Sequence, residues 1–156
     1  LVPEKIFANS VQNISWEEAP QVVTKAQELT RKASSDRDKL ELIYNFVIDN
    51  IKYDYKKAEG LPPDYLPHPE ETYVSGKGIC YDYASLCAAM LRSIGIPAKL
   101  VMGKAEKIPD YHAWNEVYID GEWLVIDTTF DAKLKEVDKS YDMIKERQAY
   151  QATRVY

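Results

Sequence analysis

Two cysteines, two histidines and six glycines are few for 156 residues, and no apolar run approaches the roughly 20 residues that a membrane-spanning helix needs. A transmembrane segment is therefore not expected. The charge balance is mildly acidic, with 20 Lys+Arg against 25 Asp+Glu and a net charge of −5. No basic stretch is dense enough to follow a phosphate backbone, so nucleic acid is not an expected partner. Internal repeats and Gly/Ser linkers are absent too. Residues 1–156 accordingly read as a single domain, with an irregular N-terminal segment over 1–19. Leu1 stands where an initiator Met would, and Leu1–Ser10 has no signal-peptide hydrophobic region, so the chain reads as a processed product or a piece of a longer one. Its compartment does not follow from this, although a secreted or cell-surface place is favoured over a cytoplasmic one. What is present is an ordinary globular composition, 46% hydrophobic and 29% charged. A chain of this length buries about 70% of its unfolded surface.

The scarcity of cysteine leaves a disulfide, half a metal site, or one reactive thiol beside a buried one. Cys80 and Cys87 fall in one helical pattern, where seven residues rise by about 10.5 Å. A disulfide tolerates only about 7 Å between Cα atoms, so the two cannot pair within the chain. Cys-x6-Cys is not a zinc spacing, and only His68 and His112 are left to complete such a site. No metal or other cofactor is expected.

The elements read as α+β. Pro20 to Ala33 predicts a first helix, with Pro in its first turn. Ser35 with Asp38 three residues on predicts the cap of a second helix carrying Leu40, Ile43, Tyr44, Val47, Ile48 and Ile51 at helical spacing. From Tyr53 to Gly78 the prolines and Gly60 predict a long irregular surface loop. A central helix is expected over Cys80 to Ile94, closed by Gly95 and Pro97. Strands follow at Lys99–Gly103 and Tyr111–Ile119, and Asp120-Gly121 is a two-residue hairpin signal into a strand over Glu122–Thr128. Residues 131–156 are mixed and charged, with a short helix near Met143–Gln148 and a last strand expected.

An Asp120-Gly121 turn pairs residues whose numbers sum to 241, so Trp114 faces Asp127 and His112 faces Thr129. His112 and Asp127 then become diagonal neighbours on one face, with Cβ atoms about 5.5–8 Å apart. An imidazole held by a carboxylate is what a nucleophilic triad uses to fix its base. Cys80 is the candidate nucleophile. It opens a helix after Gly76-Lys77-Gly78-Ile79, where the positive dipole end and free N–H groups favour a thiolate. Its own N–H is one donor toward a developing oxyanion; no second donor is visible in the sequence. Cys87, two turns on, reads as an inert core residue. Asp82 is expected to complement the helix N-terminus, His68 to sit in an exposed loop, and Glu116 to be a salt-bridged or solvated charge. Six of the twelve tyrosines lie between Tyr53 and Tyr83. They read as half-buried packing more readily than as a substrate groove.

Four blocks in order carry a resemblance: Gly78-Ile79-Cys80-Tyr81-Asp82-Tyr83-Ala84-Ser85-Leu86, Leu91-Arg92-Ser93-Ile94-Gly95-Ile96-Pro97-Ala98, His112-Ala113-Trp114-Asn115-Glu116-Val117 and Trp123-Leu124-Val125-Ile126-Asp127. Together they resemble the transglutaminase-like superfamily over residues of about 36–130, and Asn50-Ile51-Lys52-Tyr53-Asp54-Tyr55 is similar to what precedes the Cys in many bacterial single-domain members. The resemblance implies a papain-like core in which a helix opened by the Cys packs on an antiparallel sheet. It also implies Cys80 as nucleophile, His112 as general base and then acid, and Asp127 as the orienting group, with a protein or peptide as substrate. The implied chemistry is acyl transfer through a thioester, ending in crosslinking or hydrolysis. The calcium sites of animal transglutaminases have no counterpart in so short a chain. A non-catalytic binding or structural module with the same fold is the alternative reading.

Overall fold

A computed structural model describes residues 3–156; residues 1 and 2 of the expected N-terminal segment lie outside the described residues. The segment before the first helix holds two short 3-10 turns, Pro3–Ala8 and Trp16–Glu18. Pro20 then starts α1 (Pro20–Thr30) at the position where a missing N–H costs nothing. Ser35 caps α2 (Asp36–Asn50), its side chain accepting from the Asp38 N–H, as the spacing predicts. The face with Leu40, Ile43, Tyr44, Val47 and Ile48 is buried.

The expected loop from Tyr53 to Gly78 is more structured than its prolines indicate. It holds β1 (Lys52–Tyr53), α3 (Tyr55–Glu59), α4 (Pro69–Ser75) and β2 (Lys77–Gly78). The two short strands pair in parallel. Asp54 supplies the cap of α3, accepting from the Lys57 N–H, and Pro69 starts α4. Pro69 therefore starts an element, while Pro62, Pro63 and Pro67 lie in the irregular stretch between α3 and α4. His68 is exposed beside α4 as expected.

The central helix, α5 (Cys80–Ser93), is buried on every side from Asp82 to Arg92, a wider burial than one inward stripe. It lies between the sheet and α1, α2, α4 and the helix α6 (Thr128–Glu136). Ala84, Ser85, Cys87, Ala88 and Ala89 keep its girth small enough for neighbours to approach from all directions. Cys87 is wholly buried, and that burial raises its thiol pKa to about 12. Cys87→Ala should cost about 1–2 kcal/mol in chemical denaturation through the small cavity it leaves. It should leave Cys80 reactivity as it was.

The antiparallel sheet has the order β6-β5-β4-β3-β7. It is built from β3 (Ala98–Ala105), β4 (Ile108–Ile119), β5 (Glu122–Ile126), β6 (Ile144–Lys145) and β7 (Tyr150–Val155). The hairpin register runs from Ile119↔Glu122 to Asn115↔Ile126, every pair summing to 241. Asp120 and Gly121 both take positive φ, +50° and +85°, as a two-residue turn matched to strand twist requires.

Two elements depart from expectation beyond Ile126. The chain leaves the sheet at Asp127 and forms α6 (Thr128–Glu136), where the hydrophobic pattern predicts continued strand and then mixed structure. Trp114–Asp127 and His112–Thr129 are therefore not ladder pairs. The helix expected near Met143–Gln148 is a two-residue strand and a 3-10 turn over Arg147–Ala149. The last strand is present as β7, paired with β3.

Candidate functional site

Cys80 is the first residue of α5 and is partly exposed. Its position is fixed from beneath by Asp82, whose carboxylate is wholly buried. Asp82 Oδ2 accepts from the Ile79 N–H at 2.9 Å and pairs with Lys57 Nζ at 2.9 Å, while Oδ1 accepts from the Tyr65 hydroxyl at 2.5 Å. Asp82 thus does complement the helix start, and it also ties the segment after β1 to the residue before Cys80. A Cβ on Gly78 would come within 2.5 Å of Asp82 Cβ, so glycine is required there for the approach. Asp82→Ala should lower stability by about 2–3 kcal/mol in chemical denaturation, since Lys57 and Tyr65 lose their partner.

His112, on β4, is 5% exposed, and its Nε2 lies 2.8 Å from Asp127 Oδ2. Cys80 lies beside the ring, on the same cleft. Because Nε2 is taken by Asp127, Nδ1 is the nitrogen left for the thiol. Burial alone would push the His112 pKa down. The hydrogen bonds to Asp127 and Cys80, with the charges on both, outweigh that and raise it to about 9. The structure places His112 against Asp127 and on one cleft with Cys80.

Asp127 reaches His112 by a route other than the predicted ladder. It caps α6, with Oδ1 accepting from the Phe130 N–H at 3.1 Å, and Oδ2 accepts from the Tyr150 hydroxyl at 2.9 Å as well as facing His112. Three donors hold one wholly buried carboxylate. Burial and the Asp127 charge push the Tyr150 phenol pKa up, so it stays a donor. Tyr150 also packs edge-on against Trp114 at 5.0 Å, and Trp114 stacks on His112 at 6.2 Å. No sequence signal marks Tyr150, which arrives through the long-range β3–β7 pairing.

Asn115, the third residue after His112, donates from Nδ2 to the carbonyls of Ala84 on α5 and Lys99 on β3, which holds the helix against the strand that carries His112. Glu116 pairs with Lys99 at 3.8 Å and Arg147 at 3.2 Å, the salt-bridged role expected of it. Of the six clustered tyrosines, Tyr53 lines the site. Tyr65 serves Asp82, Tyr83 is buried with its hydroxyl donating to the Ile51 carbonyl, and Tyr73 stacks on Phe46.

Cys80 and His112 open on a cleft of ≈ 290 Å³ walled by Tyr53, Tyr111, Phe130 and Lys133. Past Phe130 and Ile108 lies a second cavity of ≈ 390 Å³, between the β3–β4 turn and the segment leading into β6. Among the described residues no cluster of three or more His, Cys, Asp or Glu side chains could hold a metal ion. A partly exposed thiol beside a buried imidazole–carboxylate pair at the mouth of a cleft is suited to nucleophilic attack on a carbonyl.

The comparisons with known proteins agree with this architecture. The family model of the transglutaminase-like superfamily matches residues 23–128. A UPF0252 protein of Methanocaldococcus jannaschii is 34% identical over 69% of this chain and 34% of its own length. The kyphoscoliosis peptidase of Mus musculus is 26% identical over 72% of this chain and 18% of its own. The solved structure of a candidate cysteine protease from Cytophaga hutchinsonii superposes with a TM-score of 0.69 at 26% identity, covering 83% of this chain and 43% of that one. The chain spans less than half the length of each of these relatives. A family match across more than half its residues, on the expected α+β core with a central helix against an antiparallel sheet, establishes that the chain belongs to the transglutaminase-like superfamily.

Proposed function

We propose that this chain performs cysteine-dependent acyl transfer on amides of a protein or peptide. The observation that carries the reading is the buried His112–Asp127 contact of 2.8 Å with Cys80 on the same cleft as the ring. In the first half-reaction the Cys80 sulfur attacks the amide carbonyl, with its proton held on His112 as imidazolium. The tetrahedral oxyanion faces the α5 N-terminus and the Cys80 N–H. His112 then passes its proton to the leaving nitrogen, the C–N bond breaks, and an amine or ammonia departs from a thioester at Cys80. In the second half-reaction His112 takes a proton from water or an incoming amine, which attacks the thioester and returns the thiol. Asp127 keeps the ring in the tautomer and orientation that both halves require.

Water and amine acceptors give hydrolysis and crosslinking respectively. The names of two relatives, a peptidase and a candidate cysteine protease, support hydrolysis of a peptide amide. The test is the rate of iodoacetamide labelling at neutral pH, resolved by peptide mass. Cys80 should label and Cys87 should not, and His112→Ala should slow Cys80 labelling at least tenfold. A Cys80 that labels at the same rate without His112 would turn the reading toward the non-catalytic module.

A further inference from the structure

Helix α6 does more than present its cap residue Asp127. Two turns along, it places Lys133 on the wall of the Cys80 cleft, and Phe130 lies on the same wall. The Lys133 ammonium sits 3.6 Å from the centre of the Tyr53 ring and 5.7 Å from that of Tyr55, and the two rings meet edge-on at 4.8 Å. It makes no ion pair with any carboxylate among the described residues. An aromatic face orients a cation without cancelling its charge. Part of the entropy of fixing this long side chain is thus already spent before a ligand arrives. Tyr53 itself is close enough to Cys80 that, after burial, the thiol's charge is the next largest influence raising its phenol pKa. Apart from His112 and Cys80 themselves, the other charged groups among the described residues of the cleft wall are Lys107 and Asp110. A protein with net charge −5 therefore has a site where lysine outnumbers carboxylate two to one.

We infer that Lys133, held on the Tyr53 ring, is a specificity residue that binds a carboxylate of the substrate beside the amide facing Cys80. The preferred substrate is then a peptide bearing an acidic group next to the scissile amide, either an Asp or Glu side chain or a chain-terminal carboxylate. This rests on Cys80 being the reactive thiol. The test therefore reads the thiol directly, without turnover.

Cys80 is alkylated in parallel with iodoacetate, which carries a carboxylate, and with neutral iodoacetamide; in each case the sulfur displaces iodide. The readout is the ratio of the two rates, so a change in thiol reactivity common to both reagents cancels. The His112 imidazolium also attracts iodoacetate, so the comparison is between wild type and variants. Lys133→Met, which keeps the hydrocarbon against Tyr53, should lower the ratio roughly three- to tenfold, as expected for losing one nearby charge. Lys133→Glu should lower it further, and Lys133→Arg should restore it. Lys107→Met should change it by less than twofold.

An unchanged ratio in Lys133→Met, or an equal drop in Lys107→Met, overturns the assignment to Lys133. No labelling by either reagent removes the reactive thiol and this inference with it. If iodoacetamide labels normally and the ratio does not respond, the thiol reading stands and only the inference falls. Protection of Cys80 from iodoacetamide by tri-alanine with a free C-terminus, by its amide, and by an amidated tripeptide with a central aspartate distinguishes the two carboxylate sources. Equal protection by all three overturns the proposal.

Discussion

Replacing Cys80 by alanine should abolish amide turnover while changing folding stability by no more than about 0.5 kcal/mol. The stability half follows from position. Cys80 is the first residue of α5 and partly exposed, and alanine is a good helix former that leaves the Asp82 contact with the Ile79 N–H in place. The activity half follows from chemistry, because no other thiol can substitute. Cys87 is wholly buried, with its pKa pushed up to about 12 by that burial. The substitution should also leave a trace on His112. Part of what raises that imidazole is its hydrogen bond to Cys80 and the charge there, so its titration should move down from about 9 in Cys80→Ala, as read by NMR of the ring protons. Retained turnover in Cys80→Ala would remove the thioester mechanism altogether.

Asp127→Asn should lower turnover by roughly 10³- to 10⁴-fold, the scale seen when the third member of a triad loses its charge. Asn keeps the Oδ1 that accepts from the Phe130 N–H, so α6 keeps its cap. The atom replacing Oδ2 becomes an N–H facing His112 Nε2 and the Tyr150 hydroxyl, both of which met an acceptor there. The neutral ring then favours the tautomer with its proton on Nδ1, the nitrogen that must receive the Cys80 proton. The pH dependence follows with a definite sign. The folded His112 pKa of about 9 lies above the ordinary 6.5. Its contribution to stability is therefore fully present below pH 6.5 and is lost as pH rises through about 9. Wild type should lose stability across that window, and Asp127→Asn should show a much flatter profile there in chemical denaturation. Wild-type activity should fall on the alkaline side with a limb near 9, where the imidazolium gives up its proton. A flat wild-type stability profile between pH 6.5 and 9 would contradict the raised pKa.

Local patterns made a large part of this molecule readable. Ser35 with Asp38 marked a helix start because a cap satisfies an N–H three residues away. Asp120-Gly121 fixed a register because only a two-residue turn with positive φ matches the strand twist, and every later pair in the hairpin inherits it. The spacing from Cys80 to Cys87 excluded a disulfide through helical rise alone. In the 53–78 region prolines misled, since at the first position of a helix they start elements as readily as they end them.

The placement of Asp127 shows where local pattern ends. Ile126 and Asp127 continue an alternation that reads as strand, yet the chain turns into α6 there, because the Asp127 side chain satisfies the Phe130 N–H and starts a helix. His112 and Asp127 meet all the same, since a diagonal neighbour in a ladder and a cap at the ladder's end occupy nearly the same place. Tyr150 and Lys133 had no local signal. Tyr150 reaches Asp127 through β7 adding to the far edge of the sheet, and Lys133 reaches the cleft through a helix that the strand pattern concealed.

The helix caps, the hairpin register, the inability of the two cysteines to pair and the family resemblance can be read from the amino acids alone, since contacts between residues near in the chain or motifs in order set them all. The folded chain adds which tyrosine holds Asp127, which lysines line the Cys80 cleft, and that hydrogen bonds and charges from Asp127 and Cys80 outweigh burial and raise His112 to about 9. Those depend on distances between segments far apart in sequence, and on the exclusion of water that makes such charges count.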